Sequence, residues 1–238
     1  MPLKDAIDKI VDLGSRPSDK GVAVHFANAY NVALADSDPA YRELLAAGDL
    51  VFTDGLPVAW VGRRLHQDLA SQWTRVYGPD VLVGVLEKSN LENPRHYFLG
   101  ATPETLDALL SQIQNRWPAA VIAGFESPPF RTASAKELAE RNVRIIKSGA
   151  TLVWVGLGTP KQDLEVRRLA DSVPVIALAV GAAFDFLSGR KAQAPVWIQK
   201  AGLEWAFRLA SEPRRLAKRY LWGNPRFVVA AIRRRRGL

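Results

Sequence analysis

Six short apolar runs rich in β-branched and aromatic residues recur along the chain, and the stretches between them carry helical spacing; this alternation limits the fold more than any other feature. The runs are VAVHF from Val22, LVFTD from Leu50, HYFLG from His96, AAVIAGF from Ala119, TLVWVGLG from Thr151 and VIALAVGA from Val175. Between them, segments such as 103–117 and 133–147 place apolar residues three and four apart. Thr102 before Pro103 is a good helix start, because a hydroxyl caps free amides and proline suits the first turn. The pattern predicts an α/β, Rossmann-like, mostly parallel sheet with helices on both faces, plus a basic helical C-terminal appendage. Ligands in such sheets sit at the carboxyl ends of the strands.

The 238 residues suffice for a substantial core, and 48% hydrophobic with 24% charged residues is ordinary for a globular chain. There is no cysteine, so disulfides and thiolate chemistry are excluded, and three histidines (His25, His66, His96) make a zinc cluster improbable. The first 19 residues read as an amphipathic helix with acidic residues, so no signal peptide is expected, and no apolar stretch approaches the roughly 20 residues of a membrane span. Charge divides the chain. Residues 195–238 hold eleven Lys or Arg against two Glu, a net +9, which leaves the first 194 residues at −1 of the overall +8. We therefore expect a catalytic body over 1–194 and a basic amphipathic appendage over 195–238, without which the body still folds. In the appendage, Ile198, Ala201, Trp205 and Leu209 follow one helical spacing, and a second basic helix is expected from Pro213 to about Trp222. Trp197, Trp205 and Trp222 interleaved with cations, and the basic run 233–236, suit an anionic membrane surface better than nucleic acid.

Several strand ends carry side chains able to do chemistry. Asp54, in Thr53-Asp54-Gly55, reads as a plain helix cap beside a turn glycine, as a general base, or as a carboxylate that holds a sugar hydroxyl. Asn28 and Asn31 follow the first run, as turn residues or as ligand-binding amides. Arg75, Gly78 and Asp80 open a helix that reads either as a capped helix with an exposed arginine or as one whose free amides and Arg75 meet phosphate; Gly156, Gly158, Lys161 and Gln162, in a glycine turn before another helix, suit a diphosphate. The third glycine of a dinucleotide fingerprint would fall at Lys161, which disfavours a nicotinamide enzyme, and no Walker loop is present. Asp185, between Phe184 and Phe186, either binds a ligand or braces a loop.

Taken in order, FANAYN (26–31), DPAYRELLAAGDLVFTDGLPVAW (38–60), RVYGPD (75–80), YFLGA (97–101), VGLGTPKQD (155–163), VGAAFDFLSGRKAQAP (180–195) and LEWAFRLASEPRRLAKRY (203–220) resemble the WecG/TagA/CpsF family, glycosyltransferase family 26. The resemblance implies a metal-independent, inverting transferase without a cofactor. Its donor would be a UDP-sugar, often UDP-N-acetylmannosamine, and its acceptor a polyprenyl-diphosphate-linked saccharide in cell-envelope polysaccharide synthesis. It implies Asp54 as the base and places the family's asparagine at Asn28, as a sugar or nucleotide contact. It further implies an appendage that reaches the cytoplasmic face of the membrane and supplies arginines, for which Arg208, Arg214 and Arg215 are the candidates. It also allows a homo-oligomer. Two positions depart from the family pattern: Phe26 and Tyr77 stand where threonine is usual.

Overall fold

The computed structural model describes residues 1–16, 19–90 and 93–235, with side chains up to residue 234; residues 17 and 18 of the first stretch and Arg236 of the basic run lie outside the described residues. All six apolar runs are strands: β1 (Val22–Ala27), β2 (Leu50–Thr53), β3 (Arg95–Gly100), β4 (Val121–Glu126), β5 (Leu152–Gly156) and β6 (Ile176–Leu178). They form one parallel sheet in the order β2-β1-β6-β5-β3-β4. Parallel pairing needs crossovers, and the intervening helices supply them.

The four inner strands of the sheet are buried on both faces, as their near-continuous apolar runs require, whereas the edge strands β2 and β4 are partly exposed. Within β5, Leu152 and Trp154 face one cluster with α1 (Leu3–Ser15), α5 (Gly78–Lys88) and α6 (Pro103–Arg116). Val153 and Val155 face the other, with α7 (Ala135–Ser148) and α8 (Lys161–Ser172). Thr102 caps α6 as expected, its hydroxyl accepting from the Thr105 amide at 3.3 Å. The histidine His96 is a core link. Trp154 Nε1 donates to its Nδ1 (3.0 Å), so Nε2 carries the proton toward Ser89 Oγ (2.8 Å), and burial lowers its pKa to about 4.

The remaining helices close the sheet on the β2 side: α2 (Ala29–Ser37), α3 (Pro39–Ala46) and α4 (Leu56–Leu65). A 3₁₀ turn over Gln67–Gln72 precedes α5, and α9 (Ala183–Leu187) follows β6. The C-terminal region departs from expectation twice. Its first helix is two, α10 (Val196–Lys200) and α11 (Glu204–Ser211). Gly202 between them has φ +72°, and a Cβ there would stand 2.7 Å from the Trp60 ring, so the chain turns where the apolar spacing alone would continue. The last helix, α12 (Pro213–Arg235), runs past Trp222 and through Pro225. Proline removes one amide and crowds the carbonyl a turn earlier, on Leu221, which is exposed and open to water. Burial of Leu216, Tyr220, Phe227 and Ala230, with α12 lying on α2, holds the helix together across it. No helix among the described residues is long and apolar enough to cross a membrane.

Candidate active site

Because every strand runs the same way, the chemistry-bearing residues gather at one end of the sheet. Asn28 follows β1, Asp54 follows β2, Ala101 and Thr102 follow β3, the Gly156–Gln162 turn follows β5, and 179–185 follow β6. They line a cleft of about 300 Å³, which Arg208, Arg215 and Arg219 reach from the C-terminal helices. A second cavity of about 310 Å³ lies between the β1 and β2 ends and α10 to α12. Asn28, Asp54, Tyr77, Arg208 and Arg219 border both spaces.

Asp54 stands at this junction. Its Oδ1 accepts from the Gly78 amide at 2.9 Å, at the free N-terminus of α5. Loss of hydration pushes its carboxyl up to about 6; the Gly78 bond opposes that shift, and the nearby Glu204 carboxylate adds to it. Asp54 does not cap α4, whose N-cap is Gly55 with no side-chain bond. A half-buried carboxylate near neutrality, between two cavities, is suited to take a proton from a hydroxyl.

The loop carrying Asp54 is tied to the C-terminal region through Glu204, which sequence reasoning missed. Arg75 donates from Nε to the Asp54 carbonyl (3.1 Å), from Nη1 to Gln199 Oε1 (2.9 Å) and from Nη2 to Glu204 Oε2 (2.7 Å). Tyr77 donates its hydroxyl to Glu204 Oε1 at 2.6 Å, and the Arg75 guanidinium lies 3.9 Å over the Tyr77 ring. Arg75 thus lines the second cavity with its charge already paired.

Asn28 caps α2, Oδ1 accepting from the Tyr30 amide at 3.0 Å, while also facing both cavities. Asn31 points elsewhere. It is buried, its Oδ1 accepting from the Asn28 amide (3.1 Å) and its Nδ2 donating to Tyr41 Oη (2.7 Å). Tyr41 in turn donates to Asp163 Oδ2 (3.0 Å), and His25 Nδ1 meets Asp163 Oδ1 at 3.1 Å. This inner chain braces the β1 end from behind. Asp80 is exposed in the first turn of α5 and borders neither cavity.

In the glycine turn, Gly158 has φ +77° and no atom within 4 Å of a would-be Cβ, so its backbone is open to the cleft. Gln162 holds the turn, accepting from the Gly158 amide (3.1 Å) and donating to the Ala179 carbonyl (3.0 Å). Lys161 is exposed and borders a neighbouring cavity instead, beside Arg131 and Arg168. Asp185 meets Lys191 Nζ at 2.6 Å, Lys191 reaches Glu212 (3.1 Å), and Glu212 holds Arg215 (2.6 Å), whose hydrogen bond keeps the Glu212 carboxyl down at about 2.

Of the three arginines expected from the C-terminal region, Arg208 and Arg215 reach the cleft and Arg214 is exposed outside it. Arg219 is there in its stead. Its guanidinium lies 4.3 Å over the Tyr30 ring, its Nε is buried with no partner among the described residues, and burial lowers its pKa. The signal was present: Arg215 and Arg219 are four apart and flank the buried stripe of Leu216, Tyr220 and Phe227, whereas Arg214 is off that face.

The family model for glycosyl transferases of the WecG/TagA/CpsF type matches residues 1–238. The chain belongs to the WecG/TagA/CpsF family. It is 27% identical over 219 residues to the N-acetylglucosaminyldiphosphoundecaprenol N-acetyl-beta-D-mannosaminyltransferase of Bacillus spizizenii, covering 92% of this chain and 81% of that one. As a WecG/TagA/CpsF glycosyl transferase, the protein is an enzyme that moves a sugar, and the carboxyl end of its sheet is where an α/β transferase binds its ligands.

Proposed function

We propose that the protein is an inverting transferase that moves a sugar, N-acetylmannosamine or a related hexose, from a UDP-sugar onto a polyprenyl-diphosphate-linked saccharide. The observation that carries this reading is the place of Asp54 between two cavities. Inversion needs donor and acceptor on opposite sides of one reacting centre, with a base on the attacking hydroxyl. The first cleft, with its open glycine turn and arginines, suits a nucleotide diphosphate. The second, reached from the C-terminal helices, suits the acceptor. The similar Bacillus spizizenii protein is named for a lipid-linked N-acetylglucosaminyl acceptor, which supports that class of acceptor here.

The steps follow from charge. Asp54 takes the proton as the acceptor oxygen attacks the anomeric carbon, and the bond to UDP breaks. Negative charge grows on the departing diphosphate, where Arg208, Arg215 and Arg219 stabilise it. In this metal-independent reading, a chelator leaves the rate unchanged. Residues 195–238 act as an appendage that brings the cations to an anionic membrane surface, at its cytoplasmic face.

Asp54→Asn tests the base. Asparagine keeps an oxygen for the Gly78 amide and removes a carboxylate that is costly to desolvate, so transfer should fall by about 10²- to 10⁴-fold with no loss of thermal stability at pH 7. Near-normal transfer by the purified variant would reject the assignment. Thermal-shift titration with UDP and a panel of UDP-sugars identifies the donor, because a ligand of the native state alone raises apparent stability.

A further inference from the structure

The second cavity has a neighbour along the C-terminal helix. A further space of about 220 Å³ lies between α2, α4 and α12, and Phe227 borders both. The same two helices carry the walls onward: Pro57 gives way to Val58, Val61 and Leu65 on α4, and Val228 to Ala231 on α12. At 1.5 Å per residue, α4 takes this wall about 14 Å away from Asp54. The polar side chains that border this space are Asp36, Arg42, His66, Trp73 and Arg234, of which Arg42, His66 and Arg234 are exposed.

We infer that this groove receives the first isoprene units of the acceptor's polyprenyl chain. The inference rests on the lipid-linked acceptor reading above. With the acceptor's sugar at Asp54 and its diphosphate farther along the second cavity, the hydrocarbon leaves past Phe227, where Val58, Val61, Leu65, Ala230 and Ala231 offer apolar walls. A hydrocarbon chain whose polar head lies in the adjoining cavity fits the position of this space and its mainly apolar lining.

The test reads binding, so it does not depend on transfer. Calorimetry on the full chain would compare inorganic diphosphate with prenyl diphosphates of two, three and four isoprene units. Affinity is expected to rise at least about tenfold across the series, since each added unit buries several carbons. Ala231→Phe and Val58→Phe, which fill the groove from opposite walls, should each reduce that rise to under about threefold while leaving the affinity for diphosphate within about twofold. Val229→Phe, on an exposed part of α12, should keep the full rise. A wild-type protein indifferent to chain length, or filled variants with the wild-type rise, would overturn the assignment. So would sedimentation showing that the filled variants change self-association and nothing else. Loss of the acceptor reading shows separately, as wild-type protein that binds the longer chains yet transfers no sugar to a prenyl-linked saccharide.

Discussion

Asp54 and Arg219 are both charged groups held where charge is costly, and each leads to a prediction of opposite sign for stability and for work. The Asp54 carboxyl sits at about 6 because desolvation outweighs the Gly78 hydrogen bond, with Glu204 adding a like charge. A base must be ionised, so kcat/KM should climb as pH rises through about 6. Glu204→Gln removes the like charge, and the rising limb should move to lower pH; an unmoved limb would exclude Glu204 as a cause. The sign for folding is the reverse. A carboxyl whose pKa is raised by folding stabilises the fold most below its ordinary value of 3.8, and that contribution is lost as pH rises toward about 6. Arg219 keeps a buried Nε without a partner among the described residues, so Arg219→Met should hold or raise the thermal midpoint while weakening diphosphate binding at least tenfold. A variant that loses stability and binding together would make Arg219 a packing residue.

At the scale of elements, the strands were legible because buried parallel strands must be apolar along their whole length, and Thr102-Pro103 marked α6 through its own cap. What escaped was decided by contacts distant in sequence. Nothing near Gly202 announces that Trp60 stands where a Cβ would be, and nothing near Pro225 announces that α12 is held on both sides of it by burial. Glu204 looked like one acidic residue in a basic stretch; its partners Arg75 and Tyr77 lie more than 120 residues earlier. Asn31 and Lys161 sit beside the right strand ends, but helix rotation turns one inward to Tyr41 and the other outward. Gly223 offers a test of how α12 seats on α2, since a Cβ there would come 2.9 Å from the Tyr30 ring. Gly223→Ala should destabilise by about 1–3 kcal/mol and alter the emission of Trp222, whose ring lies edge-on to Tyr30 at 5.9 Å. Unchanged stability would mean that Tyr30 yields freely.

For the whole molecule, the charge boundary near residue 194 does not coincide with a boundary in packing. Leu216, Tyr220, Phe227 and Ala230 are buried, and removal of 195–238 would uncover the α2 surface that α12 occupies. A chain ending at Ala194 should therefore unfold at lower temperature than the full chain and bind a hydrophobic dye, as calorimetry and fluorescence would report; an equally stable, dye-silent body would show that the cover is dispensable. The five side chains common to both cavities carry a further consequence. A ligand that draws Arg208 or Arg219 toward itself redraws the wall of the other space, so the two substrates do not bind as strangers. Each should change the affinity of the other by one and the same factor, a reciprocity that thermodynamics imposes on any shared wall.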